Sequence, residues 1–101
     1  MLKIDERFNI EKSVVDCQWM RLELFNVNAD CIENGKIILY NDECEEVIEN
    51  YKFYEECGIV KMFFLLNNNM KKGEYKYKIE LVLKENCKLN VLSERGFIVH
   101  D

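Results

Sequence analysis

The feature that most constrains the fold is an alternation of apolar and polar residues after Gly73, interrupted only at Val82. A period of two residues is typical of a β-strand with one face buried and the other in water. The predicted inward positions are Tyr75, Tyr77, Ile79, Leu81 and Leu83, and the predicted outward positions are Lys76, Lys78, Glu80 and Lys84.

A second strand and a short closing strand are predicted after this run. Glu85 and Asn86 form a polar break, and the alternation resumes at residues 88–91 (KLNV). Gly96 then precedes a last apolar segment, residues 97–99 (FIV). We interpret the region from residue 71 to residue 101 as a β-hairpin with a closing strand.

The most apolar segment, residues 58–66 (GIVKMFFLL), predicts a central strand. It begins at Gly58 and is followed by the asparagines of residues 67–69. The segment is too short to cross a bilayer as a helix. We therefore expect a strand that is buried on much of both faces.

Residues 18–27 (QWMRLELFNV) predict another strand, whose inward face carries Met20, Leu22 and Leu24. Trp19 and Phe25 lie on the opposite face, among polar residues. Two large aromatic side chains in these positions indicate that this face is partly covered. A loop of the same chain is the favoured cover, and a partner protein is the alternative.

The rest of the first half of the chain contains weaker signals. Residues 2–10 predict an edge strand in which Glu6 interrupts the apolar pattern, as it would at a bulge or strand end. Residues 11–13 (EKS) predict a turn. Asn34-Gly35, at the end of a polar loop, is a strong turn signal, and residues 36–40 (KIILY) predict a short strand.

Residues 44–56 (CEEVIENYKFYEE) fit either a helix or a strand. Asp42 as a cap, with Glu45 three residues later, favours a helix. The aromatic and β-branched residues favour a strand. We prefer the strand because sequential strands tend to pair. Seven acidic residues and one lysine lie between Asp42 and Glu56, a pattern that is most often a solvated face.

These segments together predict an all-β protein. The chain of 101 residues has the length of one domain, so we assign residues 1–101 to a single unit. Seven or eight short strands with turn signals at regular intervals are typical of an antiparallel β-sandwich or a partly open barrel.

Composition limits the classes of function. The formal net charge of −5 argues against a protein that works by binding nucleic-acid phosphates. Charged residues near the start, where a signal peptide needs an apolar core, predict synthesis in the cytoplasm without export by the general route. No apolar run is long enough to predict a membrane segment.

The residues that carry chemistry are few. The five cysteines are odd in number and lack C-x-x-C spacing, so we expect reduced thiols, no metal site and no cofactor. The serines are Ser13 and Ser93, and His100 is the single histidine. A nucleophile needs a base within reach and a group that orients the base. Cys87 with His100 has no supporting motif, so we predict a non-enzymatic binding module.

Two charged surfaces are predicted. One is the acidic segment 42–56, and the other is a lysine-rich face near the closing hairpin. Opposite charges on one small domain could steer copies against each other or against a larger partner. Ordinary solubilising charges are the simpler alternative. The lysines are Lys71, Lys72, Lys76, Lys78, Lys84 and Lys88.

The closing region resembles a known group of domains. Gly58-Ile59-Val60 opens a strand, Gly73-Glu74-Tyr75-Lys76-Tyr77-Lys78-Ile79-Glu80-Leu81 follows a turn, and Gly96-Phe97-Ile98-Val99 ends the pattern. This arrangement is similar to the immunoglobulin-like β-sandwich domains of bacteriophage virion proteins, such as the N-terminal domain of baseplate upper proteins. The resemblance implies an immunoglobulin-like sandwich that serves as a structural or accessory part of a capsid, neck, tail or baseplate.

The resemblance also implies partners and a location. Other virion proteins, and possible further copies of the chain, are the expected partners, and the virion is the expected location. The side chains predicted to make these contacts are Trp19, Phe25, Tyr51, Phe53, Tyr54, Lys76 and Lys78.

Two other functions remain open. The acidic segment predicts an inhibitor of a host defence nuclease that imitates DNA, with Glu45, Glu46 and Glu49 as its main carboxylates. A weaker hypothesis is a carbohydrate-binding module that stacks sugars on Trp19 and the tyrosines.

Overall fold

The computed structural model describes residues 2–84 and 87–101, without the side chains of residues 87, 88 and 92–94. Nine strands and one 3₁₀ turn, Ala29–Cys31, form this part of the chain. The strands are β1 (Lys3–Arg7), β2 (Glu11–Ser13), β3 (Gln18–Phe25), β4 (Ile32–Tyr40), β5 (Glu45–Ile48), β6 (Tyr51–Glu56), β7 (Ile59–Leu66), β8 (Gly73–Leu83) and β9 (Cys87–His100).

The strands form two sheets. The four-stranded sheet has the order β1-β3-β7-β6, and the five-stranded sheet has the order β2-β9-β8-β4-β5. Strand β2 runs parallel to β9, and the other pairs are antiparallel. Immunoglobulin strands carry letters. If β1 and β2 are A and A′, and β3 to β9 are B, C, C′, D, E, F and G, the two sheets have the orders A-B-E-D and A′-G-F-C-C′, as in immunoglobulin domains. The prediction of an all-β, immunoglobulin-like sandwich is therefore confirmed, with nine strands where seven or eight were expected.

A tyrosine at the start of β8 adds a second immunoglobulin-like feature. The hydroxyl of the buried Tyr75 donates a hydrogen bond of 2.6 Å to the carbonyl of Lys71, four residues earlier. Immunoglobulin-like domains place a tyrosine with such a backbone bond at the same corner of the sandwich. The bond anchors the loop that leads from β7 into β8.

The core lies between the sheets and is filled by alternate residues of the long strands. On β7 the inward residues are buried and the outward ones half-buried, so the predicted central strand is correct. On β8 the predicted inward positions 75, 77, 79 and 81 are buried, as alternation requires. Fully buried side chains of the core include Met20, Leu22, Leu24, Ile37, Leu39, Met62, Phe64, Leu66, Tyr77, Ile79, Leu81 and Phe97.

Segment 44–56 is extended, which confirms the preferred strand. It forms two strands, however, because β5 pairs with β4 in one sheet and β6 pairs with β7 in the other. Strand β6 enters β7 through Cys57 and Gly58, whose φ values of 52° and 77° are typical of a two-residue hairpin turn. The chain therefore crosses between sheets at residues 49 and 50.

The prediction of a turn at residues 11–13 is wrong. These residues form β2, held by a 2.8 Å bond from the Ile98 N–H to the Ile10 carbonyl and a 2.6 Å bond from the Val14 N–H to the His100 carbonyl. The single strand predicted over residues 2–10 is likewise replaced by β1 and the link to β2, in different sheets. Three residues are too few to show a period of two.

Lys12 explains why β2 is so polar. Its side chain points inward with only 4% of the residue exposed. The ammonium group donates to the carbonyls of Ser13 and Asp16, each at 2.8 Å. Lys12 thus supplies hydrogen bonds to two backbone carbonyls of the following turn, which an apolar side chain could not do.

The turn predicted at Asn34-Gly35 is also wrong, because both residues lie within β4. The β4–β8 register slips between Ile32 and Asn34, so the dipeptide lies beside an irregularity in the strand. A Cβ on Gly35 would lie 3.1 Å from both Leu81 Cδ2 and Met62 Cε. Glycine therefore allows close packing of β4 against these two side chains, and no hairpin turn is involved.

Glu6 does not mark a bulge or strand end. It continues the β1–β3 register opposite Leu22 and points between the sheets. The hydroxyl of the fully buried Tyr77 donates a 2.5 Å hydrogen bond to Glu6 Oε2, and Phe8 packs edge-on against the same ring with centroids 5.5 Å apart. A polar residue at an inward position therefore links the two sheets.

The last strand differs in extent from its prediction. Residues 87–100 form one strand that pairs with β8 on both sides of a register shift between Lys76 and Lys78. The predicted reset near Gly96 corresponds to this shift, since Gly96 pairs with Lys76 and Leu92 pairs with Lys78. The predicted break at Glu85 and Asn86 lies outside the described residues.

Candidate docking surfaces

The outer face of the four-stranded sheet carries a row of three aromatic rings. Phe63 lies at the centre, with Trp19 edge-on at a centroid distance of 6.4 Å and Tyr54 stacked at 5.9 Å. Trp19 and Tyr54 are each 47% exposed, and Phe63 is half-buried. We call these three side chains the aromatic strip.

Strand order creates the aromatic strip. Outward residues of β3, β7 and β6 become neighbours because Arg21 pairs with Phe63 and Phe63 pairs with Lys52. Trp19 and Tyr54 lie one outward position to either side of this row. The three rings come from three strands, and only β6 and β7 are adjacent in sequence.

Basic side chains surround the aromatic strip. The Lys52 ammonium lies 4.9 Å from the centroid of the Trp19 ring, a distance that allows a cation–π interaction. Basic residues outnumber acidic ones on this face even though the whole chain is acidic. The outward charged residues are Lys3, Arg7, Arg21, Lys52 and Lys61, together with Asp5, Glu23 and Glu56.

Several of these charges are already paired. Arg7 lies 3.1 Å from Glu23 and 3.3 Å from Asp5, and Lys61 lies 3.4 Å from Glu56. Lys52 instead covers the Trp19 ring. A sugar stacking on that side of the ring would have to displace the ammonium, which weighs against the carbohydrate hypothesis.

The predicted aromatic contact residues fall into two groups. Trp19 and Tyr54 belong to the aromatic strip, and Phe25 lies on the same face with Lys3 Nζ 5.5 Å from its ring. Tyr51 and Phe53 have the opposite parity: Tyr51 packs on Phe64 of the core at 5.3 Å, and Phe53 stacks on Tyr51 at 6.0 Å. The Trp19 ring is thus partly covered by Phe63 and Lys52 of neighbouring strands, and it remains 47% exposed; the favoured cover by a loop is not seen, and cover by a partner stays a prediction.

Phe63 was missed by the sequence reasoning, because residues 58–66 predict burial on both faces. The available signal was its parity, since Phe63 shares the outward side of β7 with Lys61. The order of the strands was also needed to show that it lies between Trp19 and Tyr54.

Lys76 and Lys78 lie on the outer face of the other sheet, away from the aromatic strip. Lys76 borders a groove of about 520 Å³ whose lining includes Tyr40, Gly96 and Ile98 and also the acidic residues Asp42 and Glu74. Lys78 lies 3.8 Å from Glu80. This surface therefore mixes both charges with apolar residues and is not a uniform lysine face.

The acidic segment is divided between two sheets. Asp42 to Glu49 lie around β5, whereas Glu55 and Glu56 belong to β6. Glu55 Oε1 accepts a 3.1 Å bond from the Ala29 N–H, and Glu56 pairs with Lys61. The carboxylates available to a partner are thus those around β5, including the predicted Glu45, Glu46 and Glu49; the inhibitor hypothesis stays a prediction.

The thiols and the buried phenol near them do not form a reactive cluster. Cys17, Cys31, Cys44 and Cys57 are free, and no group of three or more potential metal ligands occurs among the described residues. Burial, with the neighbouring Cys44 at 3.7 Å, raises the pKa of Tyr75 to about 12. Tyr75 therefore stays protonated as a hydrogen-bond donor.

In the described part of the chain, no helix is long and apolar enough to cross a bilayer.

Comparisons with known proteins show a distant structural similarity and no sequence match. No protein-family model matches the chain, and no curated protein matches it. The chain is similar to a cohesin module from a family 33 glycoside hydrolase of Clostridium perfringens ATCC13124, with 12% identity and a TM-score of 0.48. The alignment covers 98% of this chain and 96% of that module. This similarity is too distant to assign a partner or an activity.

Proposed function

We propose that this domain is a non-enzymatic phage virion protein that docks onto another virion protein through the aromatic strip. The observation that carries the proposal is the exposed row of Trp19, Phe63 and Tyr54 on a sheet face. Large aromatic side chains at the centre of an interface supply most of its binding free energy.

The structure of the strip suits a docking role. The rings are fixed by a β-sheet, so little side-chain entropy is lost when a partner covers them. Phe63 supports both exposed rings from the centre. The surrounding basic residues favour a partner that presents an apolar patch with carboxylates at its rim.

The assignment to a virion rests on the sequence resemblance. The strand order A-B-E-D and A′-G-F-C-C′ supports the immunoglobulin-like part of that resemblance. The virion location and the virion partner are the part that we propose. Synthesis in the host cytoplasm, followed by assembly without a membrane step, belongs to the same proposal.

The experiment uses phage particles purified from infected cells that produce the tagged chain. We expect the wild-type chain to be retained in particles at a fixed copy number. Trp19→Ala removes one of the two most exposed rings of the strip, so retention should fall by at least tenfold, about 1.4 kcal/mol of binding free energy. The matched control is Val47→Ala, which removes an exposed apolar side chain on the other sheet and should leave retention unchanged.

Two outcomes would contradict the proposal. One is absence of the wild-type chain from purified particles. The other is equal retention of the Trp19→Ala and Val47→Ala variants, which would show that docking uses another surface. Circular dichroism of both purified variants would confirm that each is folded.

A further inference from the structure

The four-stranded sheet ends in an open edge, strand β6. Its residues are exposed except for Tyr51, which is half-buried, and among the residues that the structure describes it pairs with β7 alone. The three other edge strands are shorter: β1 has five residues, β5 has four and β2 has three, against six in β6. An exposed edge of this kind can pair with another strand.

The free backbone groups of β6 can be identified. The Leu65 N–H donates to the Asn50 carbonyl, so residue 50 faces β7. The backbone N–H and C=O groups of successive residues face opposite sides of an antiparallel strand. Those of Tyr51, Phe53 and Glu55 therefore point away from β7. Three donors and three acceptors form a regular ladder along the open edge.

We propose that β6 pairs with β6 of a second copy of this chain, in antiparallel orientation about a two-fold axis at Tyr54. A two-fold axis normal to the sheet keeps the outer face outward in both copies. Phe53 of each copy then exchanges backbone hydrogen bonds with Glu55 of the other. The two four-stranded sheets become one sheet of eight strands.

Charge selects this register over its neighbours. With the axis at Tyr54, Lys52 of each copy lies opposite Glu56 of the other, so two pairs of opposite charge form on the outer face. With the axis at Phe53, Lys52 faces a tyrosine; with the axis at Glu55, that carboxylate faces its own copy. Opposite charges across a strand pair are stabilising and like charges are destabilising.

The other edges are less suited to pairing with themselves. On β1, Arg7 pairs with Asp5 and with Glu23, whose side chain is only 14% exposed. On β6, Lys52 and Glu56 also have contacts within the chain, with Trp19 and Lys61, but the Glu56 side chain is 58% exposed and can turn towards a second copy. Strand β5 begins with two glutamates, Glu45 and Glu46, and lies beside further carboxylates. Strand β6 combines the greatest length with opposite charges at a suitable spacing.

Pairing through β6 would also lengthen the aromatic strip. Tyr54 lies at the two-fold axis, next to Tyr54 of the second copy. The rings of Trp19, Phe63 and Tyr54 then continue into the same three rings of the second copy. This inference does not depend on the virion assignment, because it concerns the association of the purified chain with itself.

Sedimentation velocity over a concentration series at low salt tests the proposal. We expect a reversible dimer for the wild-type chain. Lys52→Glu should raise the dissociation constant at least tenfold, because it places two carboxylates opposite each other. Glu56→Lys should do the same by placing two ammonium groups opposite each other. In the double variant K52E/E56K, opposite charges face each other again, and the dimer should return.

A second pair of variants tests the backbone ladder. Phe53→Pro removes an N–H that points away from β7, so the β6–β7 pairing is retained while the intermolecular bond is lost. This variant should be monomeric, whereas the control Phe53→Ala should still dimerise. A wild-type chain that stays monomeric throughout would overturn the proposal. A dimer that does not respond to charge reversal, or a double variant that fails to recover, would overturn it as well.

Discussion

Tyr75 shows how one buried hydroxyl can hold a loop and respond to pH. Its hydroxyl bonds to the Lys71 carbonyl at 2.6 Å, and burial raises its pKa to about 12 from a usual value of 10.0. In the folded state the Tyr75 hydroxyl therefore keeps its proton to a higher pH than in the unfolded state. The stabilisation from this group is complete below pH 10 and is lost as the pH rises through 12.

The corresponding prediction compares the wild-type chain with Tyr75→Phe. The variant lacks the bond to the Lys71 carbonyl, so its free energy of unfolding at neutral pH should be lower by about 1–2 kcal/mol. Between pH 10 and 12 the difference between the two proteins should shrink, because the wild-type chain alone loses this contribution. Urea denaturation at several pH values measures both effects. If the difference in free energy of unfolding stayed constant up to pH 12, the Tyr75 hydroxyl would not be the group that responds to pH.

Glu6 and Gly35 show why single residues misled the sequence reasoning. A glutamate in an apolar row predicts an interruption, but its partner, Tyr77, is 71 residues away and cannot be identified from spacing. An Asn-Gly pair predicts a turn, but Gly35 lies within β4, close to Leu81 on the neighbouring strand and to Met62 of the other sheet. In both cases a tertiary contact overrides a local propensity.

At the scale of elements, β2 depends on one buried lysine. Lys12→Met keeps the length of the side chain but removes the two bonds to the carbonyls of Ser13 and Asp16. The Ser13 carbonyl would keep its 3.2 Å bond from the Asp16 N–H, whereas the Asp16 carbonyl would lose its bond from Lys12, at a cost of about 1–3 kcal/mol if it stays buried. Hydrogen exchange should accelerate at the Val14 and Ile98 N–H groups, which bridge β2 and β9.

The control for that prediction is Lys72→Met, an exposed lysine whose pairing with Asp101 involves two well-solvated side chains. It should leave exchange in β2 unchanged. If Lys12→Met also left the two amides fully protected, Lys12 would not be the support of this strand.

Long elements were predictable and short ones were not. Alternation over β3 and β8 identified their inward faces correctly, because every second side chain contributes to one core. The three-residue β2 has no such pattern and exists because β9 offers a free edge. Predicting the aromatic strip also required the order of the strands. Parity could place Trp19 and Tyr54 on the outward face, but the non-local pairing of β3 with β7 is what brings Trp19 next to Phe63.

At the scale of the whole molecule, the two outer faces differ in charge and shape. The four-stranded sheet presents the aromatic strip among mostly basic side chains, and the five-stranded sheet presents a groove lined by apolar residues and by both charges. The two faces therefore suit neighbours of different chemistry. This difference fits the proposed role as a docking component of an assembly.

The parallel pairing of β2 with β9 has a mechanical consequence. Strand β2 lies near the start of the described chain and β9 near its end, and the two strands point the same way. A force that pulls the two ends apart therefore slides β2 along β9, so that the bonds at Ile98 and Val14 bear the load together.

Bonds loaded side by side resist more force than bonds that open one after another. In single-molecule stretching we expect an abrupt unfolding event when the chain is pulled by its ends. Pulling between residues 50 and 65, at the open end of the β6–β7 hairpin, should instead break its hydrogen bonds one after another, at a lower force. Equal forces in the two geometries would show that the β2–β9 contact bears no special load. A higher force between the chain ends would mean that β2, the short strand that sequence patterns miss, keeps the domain folded under tension.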